Sequence, residues 1–297
     1  MTANLASSPI SPNSPGIRLL RQIFRNRSAQ IGGALLLILI FVSYAAPLFT
    51  DRDPNKTAPS VALTPPNVEY PMGTDGIGRD NFTRFLYGGR LSLRVGLVGI
   101  TIGALIGITL GLVSGYFGGW IDSLISWFTD VLMAFPDILL ALAIIAILGP
   151  GIGNAMLAIG IAFVPSFMRL TRSSVLSLRE MTYIEASRAL GSSDARILVR
   201  HILPNSVRTL LVLITLGIGS SILAGAALNF LGLGAQPPTA EWGAMLNAGM
   251  KFVRQAWWLT VFPGAGIILA VLSINLIGDA ISDAVAGTTI LPAQEKK

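Results

Sequence analysis

The residues able to do chemistry in this chain are few, and most stand where a polar group is expensive. Asp122, Asp130 and Asp137 lie in an otherwise apolar run, eight and seven positions apart. On one helix that spacing keeps them within roughly 80° of one another, on a face turned to protein rather than lipid. Structural ion pairs or contact with a passing solute would both suit them. Asp137 follows Pro136, which kinks a helix and frees a carbonyl, so it is a candidate for a substrate path. Ser220, Ser221 and Asn229 are further candidates for that path, being hydroxyl and amide groups in a stretch of Leu, Ile, Ala and Gly. Polar groups at such depth face protein or a water-filled cavity. Asp279 and Asp283 end the last apolar run, where a helix C-terminus disfavours negative charge, so Arg169 or Arg172 is expected as their basic partner. Other chemistry is excluded. There is no cysteine and His201 is the single histidine, so no thiolate, disulfide or histidine metal cluster can form. No G-x-x-x-x-G-K-[ST] loop is present to cradle ATP phosphates, and no catalytic constellation is visible.

These groups are positioned by helices that cross a membrane. The chain is 52% hydrophobic and only 12% charged, with a mean hydropathy of +0.68. Soluble domains run near 45–50% apolar and about 25% charged. Several windows reach the roughly 18 residues that a helix needs to cross hydrocarbon. An all-α integral membrane protein with six transmembrane helices is expected. Residues 1–30 read as a cytoplasmic tail, its first half rich in Ser, Pro and Asn, and 31–49 as the first span. Residues 43–45 resemble a signal-peptide cleavage site, but thirty residues precede the apolar run and further spans follow it, which favours a retained helix. The proline-rich stretch 50–92 is a periplasmic loop, and 93–284 form a five-helix core. Its spans are 95–115, 121–148, 154–168, 209–232 and 258–279, with polar segments at 169–208 and 233–257 and a cytoplasmic tail at 285–297.

The net charge of +6 reads as membrane orientation rather than nucleic-acid affinity. Arg18, Arg21, Arg25 and Arg27 come without an acid, and 169–208 holds seven arginines against Glu180, Glu185 and Asp194. A six-helix count puts both on one face, which the positive-inside rule makes cytoplasmic, along with both termini. Arg79, Arg84, Arg90 and Arg94 fall on the other face and are read as an interfacial helix leading into the second span. In that span Gly99, Gly103, Gly107, Gly111 and Gly115 recur every fourth residue, a stripe on which another helix can pack closely.

Between two spans stands "TYIEASRALGSSDARILVRHILPN", residues 182–205. Its pattern is a short amphipathic helix, a turn at Gly191, capping by Ser192, Ser193 or Asp194, and a second helix with Ala195, Leu198, Val199 and Ile202 on one face, stopped by Pro204. A DNA-binding helix-turn-helix has this outline, but about forty residues tied at both ends to spans leave no third helix to complete its core. A hairpin resting on anionic headgroups remains open, although it does not account for Glu185 amid the arginines.

Glu185-Ala186-Ser187, Gly191 and Leu203-Pro204 resemble the EAA loop of ABC-importer permeases, departing mildly at Ser187 and His201. Residues 72–93 (MGTDGIGRDNFTRFLYGGRLSL), 228–246 (LNFLGLGAQPPTAEWGAML) and 275–284 (NLIGDAISDA) resemble the C-type permease of dipeptide and oligopeptide importers. An Arg and a terminal Asp-Pro usual in that family are missing around residues 281–287. The resemblance implies a type I importer (MetI-like) transmembrane domain in the bacterial inner membrane. It further implies a second homologous permease, two cytoplasmic ATPase subunits carrying ATP and Mg, and a periplasmic substrate-binding protein. This chain would bind no cofactor or nucleic acid itself. Dipeptides, longer peptides, glutathione or nickel are the implied substrates. On this reading Glu185, Ala186, Arg188, Leu190, Gly191, Ala195, Arg196, Leu198, Val199, Leu203 and Pro204 couple the chain to an ATPase. Leu190, Ala195, Leu198 and Val199 would give the apolar face, and Glu185 would orient the loop through a backbone amide or Arg188. An ion-coupled secondary transporter or channel is the rival, and would ordinarily show broken helices repeated in two halves, of which no convincing sign is found.

Overall fold

The structure, a computed structural model, describes residues 21–289. The Ser/Pro-rich segment with Arg18, and the residues after 289, lie outside the described residues. Helices α1 (Arg27–Tyr44), α2 (Asn81–Phe117), α3 (Gly119–Met133), α4 (Asp137–Leu148) and α5 (Ile152–Arg179) form the first part. After them come α6 (Thr182–Ala189), α7 (Asp194–Ile197), a π-helical turn (Leu198–Ile202), α8 (Leu203–Phe230), α9 (Trp242–Met250) and α10 (Trp258–Thr289). Among the described residues the only β pairing is an isolated bridge between Thr74 and Asp80.

Several helices run beyond their expected ends, because a helix need not stop where hydrocarbon stops. The arginine-bearing segment before the second span is continuous with it in α2. Asp80 starts that helix, its carboxylate accepting from the backbone of Phe82 and Thr83 and from Thr83 Oγ1 at 2.6 Å. Asn26 caps α1 in the same way, accepting from the Ser28 and Ala29 amides.

The glycine stripe fixes the topology. A Cβ on Gly103, Gly107, Gly111 or Gly115 would stand 2.6–3.0 Å from the carbonyl oxygens of Gly160, Val164, Met168 and Arg172, each one helical turn beyond the last. Backbone therefore meets backbone, an approach that any larger residue would block. Because both series ascend together, α2 and α5 are parallel. The chain joining them must return across the bundle, and only α3 and α4 lie between. These two form a pair bent by 94° and so act as one broken span, giving six crossings with α1, α2, α5, α8 and α10. Gly151 confirms the return: its amide donates to the Leu233 carbonyl at 3.0 Å, beside the C-terminal end of α8. α8 and α10 pack antiparallel, with Gly219 against Asn275 and Gly278 against Leu216, while Gly32 seats α1 on Ser273 of α10.

The break in the third span corrects the expected single face of three aspartates. Pro136 has no N–H to continue the ladder, and its predecessor is pushed away from helical ψ. Asp137 thus begins a new helix, where the free amides favour a carboxylate, instead of continuing the face of Asp122 and Asp130.

Candidate functional site

Two places gather the candidate residues: the loop at 182–205 and a cavity within the spans. In the loop, α6 ends in a Schellman turn. Gly191 has φ +79°, its amide donates to the Arg188 carbonyl at 2.9 Å, and the Ser192 amide donates to that of Ser187 at 3.1 Å. Nothing lies within 4 Å of where a Gly191 Cβ would be, so the demand for glycine comes from backbone conformation alone.

The inner side of the loop is a small core of its own. Ile184, Ile197 and Ile202 are buried against Tyr116 and Val175, with Leu112, Leu178 and Leu198 around them. Polar bonds reinforce it. The Tyr116 hydroxyl donates to Asp194 Oδ1 at 2.6 Å, Arg188 Nη2 donates to that hydroxyl at 3.4 Å, and the Arg188 guanidinium lies 5.7 Å from the centre of the Tyr116 ring. Arg179 Nη1 donates to the Gly115 carbonyl at the end of α2, 2.9 Å away. The loop is therefore tied to the ends of both helices of the glycine seam.

The outer side is unfinished. Leu190 is 87% exposed and Val199 66%, with Glu185, Ala186, Arg188, Ala195, Arg196 and Pro204 also exposed. Three expectations change here. Leu198 packs inward with the loop's core, and Leu203 packs beside Phe167 and Leu210, so neither belongs to the outward face. The Glu185 carboxylate forms no hydrogen bond or ion pair among the described residues, and Arg188 is drawn to Tyr116 instead. Pro204 does not stop the helix, which runs from Asp194 to Phe230. The chain widens into a π turn, where the Leu203 amide reaches the Leu198 carbonyl, just at the place where Pro204 supplies no donor.

The arginines expected beside Asp279 and Asp283 are engaged elsewhere. Arg172 forms a fork with both Asp122 oxygens at 2.6 Å each, and Ser114 and Ser126 also bond that carboxylate. Arg169 Nη2 meets Asp130 Oδ1 at 2.6 Å. Of the path candidates, Asp137 and Ser220 come together, lining a cavity of about 330 Å³ with Phe163, Leu223 and Leu228 among its walls. Ser221 and Asn229 are enclosed instead. Ser221 is buried against Gly99, and Asn229 closes the turn after α8, accepting from the Ala235 amide and donating to the Gly225 carbonyl at 2.8 Å.

At the opposite end of the bundle, the arginines read from sequence as an interfacial helix are built into the fold, and Glu241 was not singled out. Arg84, 5% exposed, donates to the carbonyls of Pro54 at 2.8 Å and Pro238 at 3.1 Å, joining two loops far apart in sequence. Arg90 Nε donates to the Ser43 carbonyl at 2.7 Å, finishing the last turn of α1. Arg79 pairs with Asp75 at 2.6 Å. These arginines are consumed by internal bonds. Glu241 is 1% exposed, accepting from Ser92 Oγ at 2.6 Å and from the Ala244 amide at 2.9 Å. Burial pushes its carboxyl up to about 6 despite those bonds.

A broken span, an internal glycine seam and a backed loop with an exposed outer side define a helical integral membrane protein. Residues 107–289 match the family described as the binding-protein-dependent transport system inner membrane component, and residues 14–66 match the N-terminal transmembrane domain of oligopeptide transport permease C. The dipeptide transport system permease protein DppC of Alkalihalophilus pseudofirmus is 48% identical over 91% of this chain and 89% of its own. The glutathione transport system permease protein GsiD of Pectobacterium atrosepticum is 42% identical over 95% of each. Among solved structures, an inward-facing MetNI methionine ABC transporter chain aligns with a TM-score of 0.53 at 22% identity, over 68% of this chain and 95% of that one, a likeness of fold. The chain belongs to the inner-membrane permeases of binding-protein-dependent ABC importers, and among them to the DppC/OppC-like type.

Proposed function

We propose that this chain is one of two homologous permease subunits of an ATP-driven importer of di- or oligopeptides, coupled through residues 182–205 to an ATPase subunit. Two ATPase subunits carrying ATP and Mg, and a periplasmic binding protein, complete the assembly. Both termini and the loop are cytoplasmic. The relatives named for dipeptide and glutathione transport support a peptide substrate.

One observation carries the coupling role: the loop has a packed inner side and an unsatisfied outer one. Leu190 and Val199 are exposed on the same loop as the exposed Arg196 and Arg200. A short amphipathic element of this kind seats in a groove by its apolar side and is steered by charge. Because Ile184, Ile197 and Ile202 hold it to α2 and α5, a push on the loop moves the two seam helices together. Gly191→Val strains a left-handed turn, and Glu185→Lys reverses the one exposed acid of α6. Both variants are expected to insert normally and to lose ATPase co-purification or substrate-stimulated ATP hydrolysis in reconstituted complexes. Wild-type values for both would mean that the loop only rests on the membrane.

A further inference from the structure

Two ion pairs join α3 to α5 at neighbouring depths, and they are built differently. Asp122–Arg172 is a two-pronged fork with serine hydroxyls on the carboxylate, and its side chains are 19% and 34% exposed. Asp130–Arg169 rests on one Nη2–Oδ1 contact, and its side chains are 60% and 54% exposed. Position makes that exposure informative. Arg169 lies ten residues, ~15 Å of helical rise, before α5 ends, and Asp130 lies three residues before the break in the third span. Asp130 stands within the apolar run 121–148 and Arg169 directly after the run 154–168, so the pair faces protein or water rather than lipid. The pair borders a cavity of about 370 Å³ formed with Ser126, Thr129, Met168 and Arg172. Across the break, Asp137 and Ser220 line a separate cavity.

We propose that Arg169 and Asp130 form a station for zwitterions on the solute path. Arg169 receives the α-carboxylate of a passing peptide and Asp130 its α-ammonium, each replacing the other's single bond. This rests on the reading of the chain as a peptide permease. The chemistry fits a transient stop: Arg169 keeps most of its five N–H donors free, and a carboxylate offers about four acceptor sites of which Asp130 uses one. The pair stays neutral when empty and is re-formed when the solute leaves. In Asp122–Arg172, one turn along α5 and about two along α3, the carboxylate is fully bonded, and the pair acts as the lock that keeps the two helices in register.

The test uses the full complex, with its ATPases and binding protein, in proteoliposomes, and radiolabelled dialanine as probe. Arg169→Gln and Asp130→Asn are expected to retain assembly and to lower uptake by about tenfold or more, the loss of one charged hydrogen bond. The exchanged double variant, Arg169→Asp with Asp130→Arg, restores an ion pair but reverses its polarity, and uptake is expected to stay low. Exchange that restores uptake to within about twofold would make the pair a structural brace and overturn the station. The chain has no cysteine, so Ser126→Cys gives an independent reading that does not depend on the charge variants. A charged, membrane-impermeant thiol reagent should modify it, and dialanine should slow that reaction. Absence of modification, or modification indifferent to dialanine, also overturns the proposal. Wild-type complex that carries no dialanine would instead remove the peptide-permease reading beneath it.

Discussion

The two ends of the bundle solve the same problem in opposite ways. At one end, loops 50–80 and 233–241 are stitched together by buried polar groups whose partners all belong to the chain: Arg84 to Pro54 and Pro238, Trp258 Nε1 to the Thr74 carbonyl at 3.2 Å, and Glu241 to Ser92. At the other, the loop buries three isoleucines and then turns Leu190, Val199 and its charges outward. The first end satisfies its buried polar groups within the chain; the second leaves apolar and charged side chains exposed. The comparison separates residues whose loss is felt in folding from residues whose loss is felt in assembly.

Arg84→Ala should break the finished end most severely. It removes donors from two carbonyls and leaves a buried network incomplete, a loss of about 3–5 kcal/mol, checked by thermal unfolding of the purified subunit in detergent. Next comes Glu241. Its folded carboxyl titrates near 6, above the ordinary 4.5, so its stabilising protonated form is fully present below pH about 4.5 and is lost as pH rises through 6. Between those limits this end should lose about 2 kcal/mol, and Glu241→Gln should flatten the dependence. Smallest in stability, and most telling, are Leu190→Asp and Val199→Asp. Both sites are exposed, so unfolding should shift by no more than about 0.5 kcal/mol, while ATPase co-purification falls. A large stability loss in either would show that the loop's outer side is not a free docking face.

The sequence made the six spans legible because apolar runs of that length admit little else, and the glycine period marked the seam although not that its partner runs parallel. Gly191 could be placed because a helix pattern ends there. The bonding roles of Arg84 and Glu241 left no signal, since a buried polar group is recognised by its partners, and theirs lie up to 155 residues away. Asp137 was misaligned with Asp130 because periodicity assumes an unbroken helix. Ile202, expected on the face of Ala195 and Val199, is buried because the π turn over Leu198–Ile202 shifts the register by one residue.

The coupling face is tested most directly by a photocrosslinking phenylalanine analogue placed at Leu190 in the intact complex, with the same analogue at Val68, fully exposed on the opposite end, as its counterpart. The account predicts a crosslink from position 190 to an ATPase subunit that changes in yield with ATP, and none to that subunit from position 68. A crosslink to lipid alone from position 190, or to an ATPase from position 68, would contradict it.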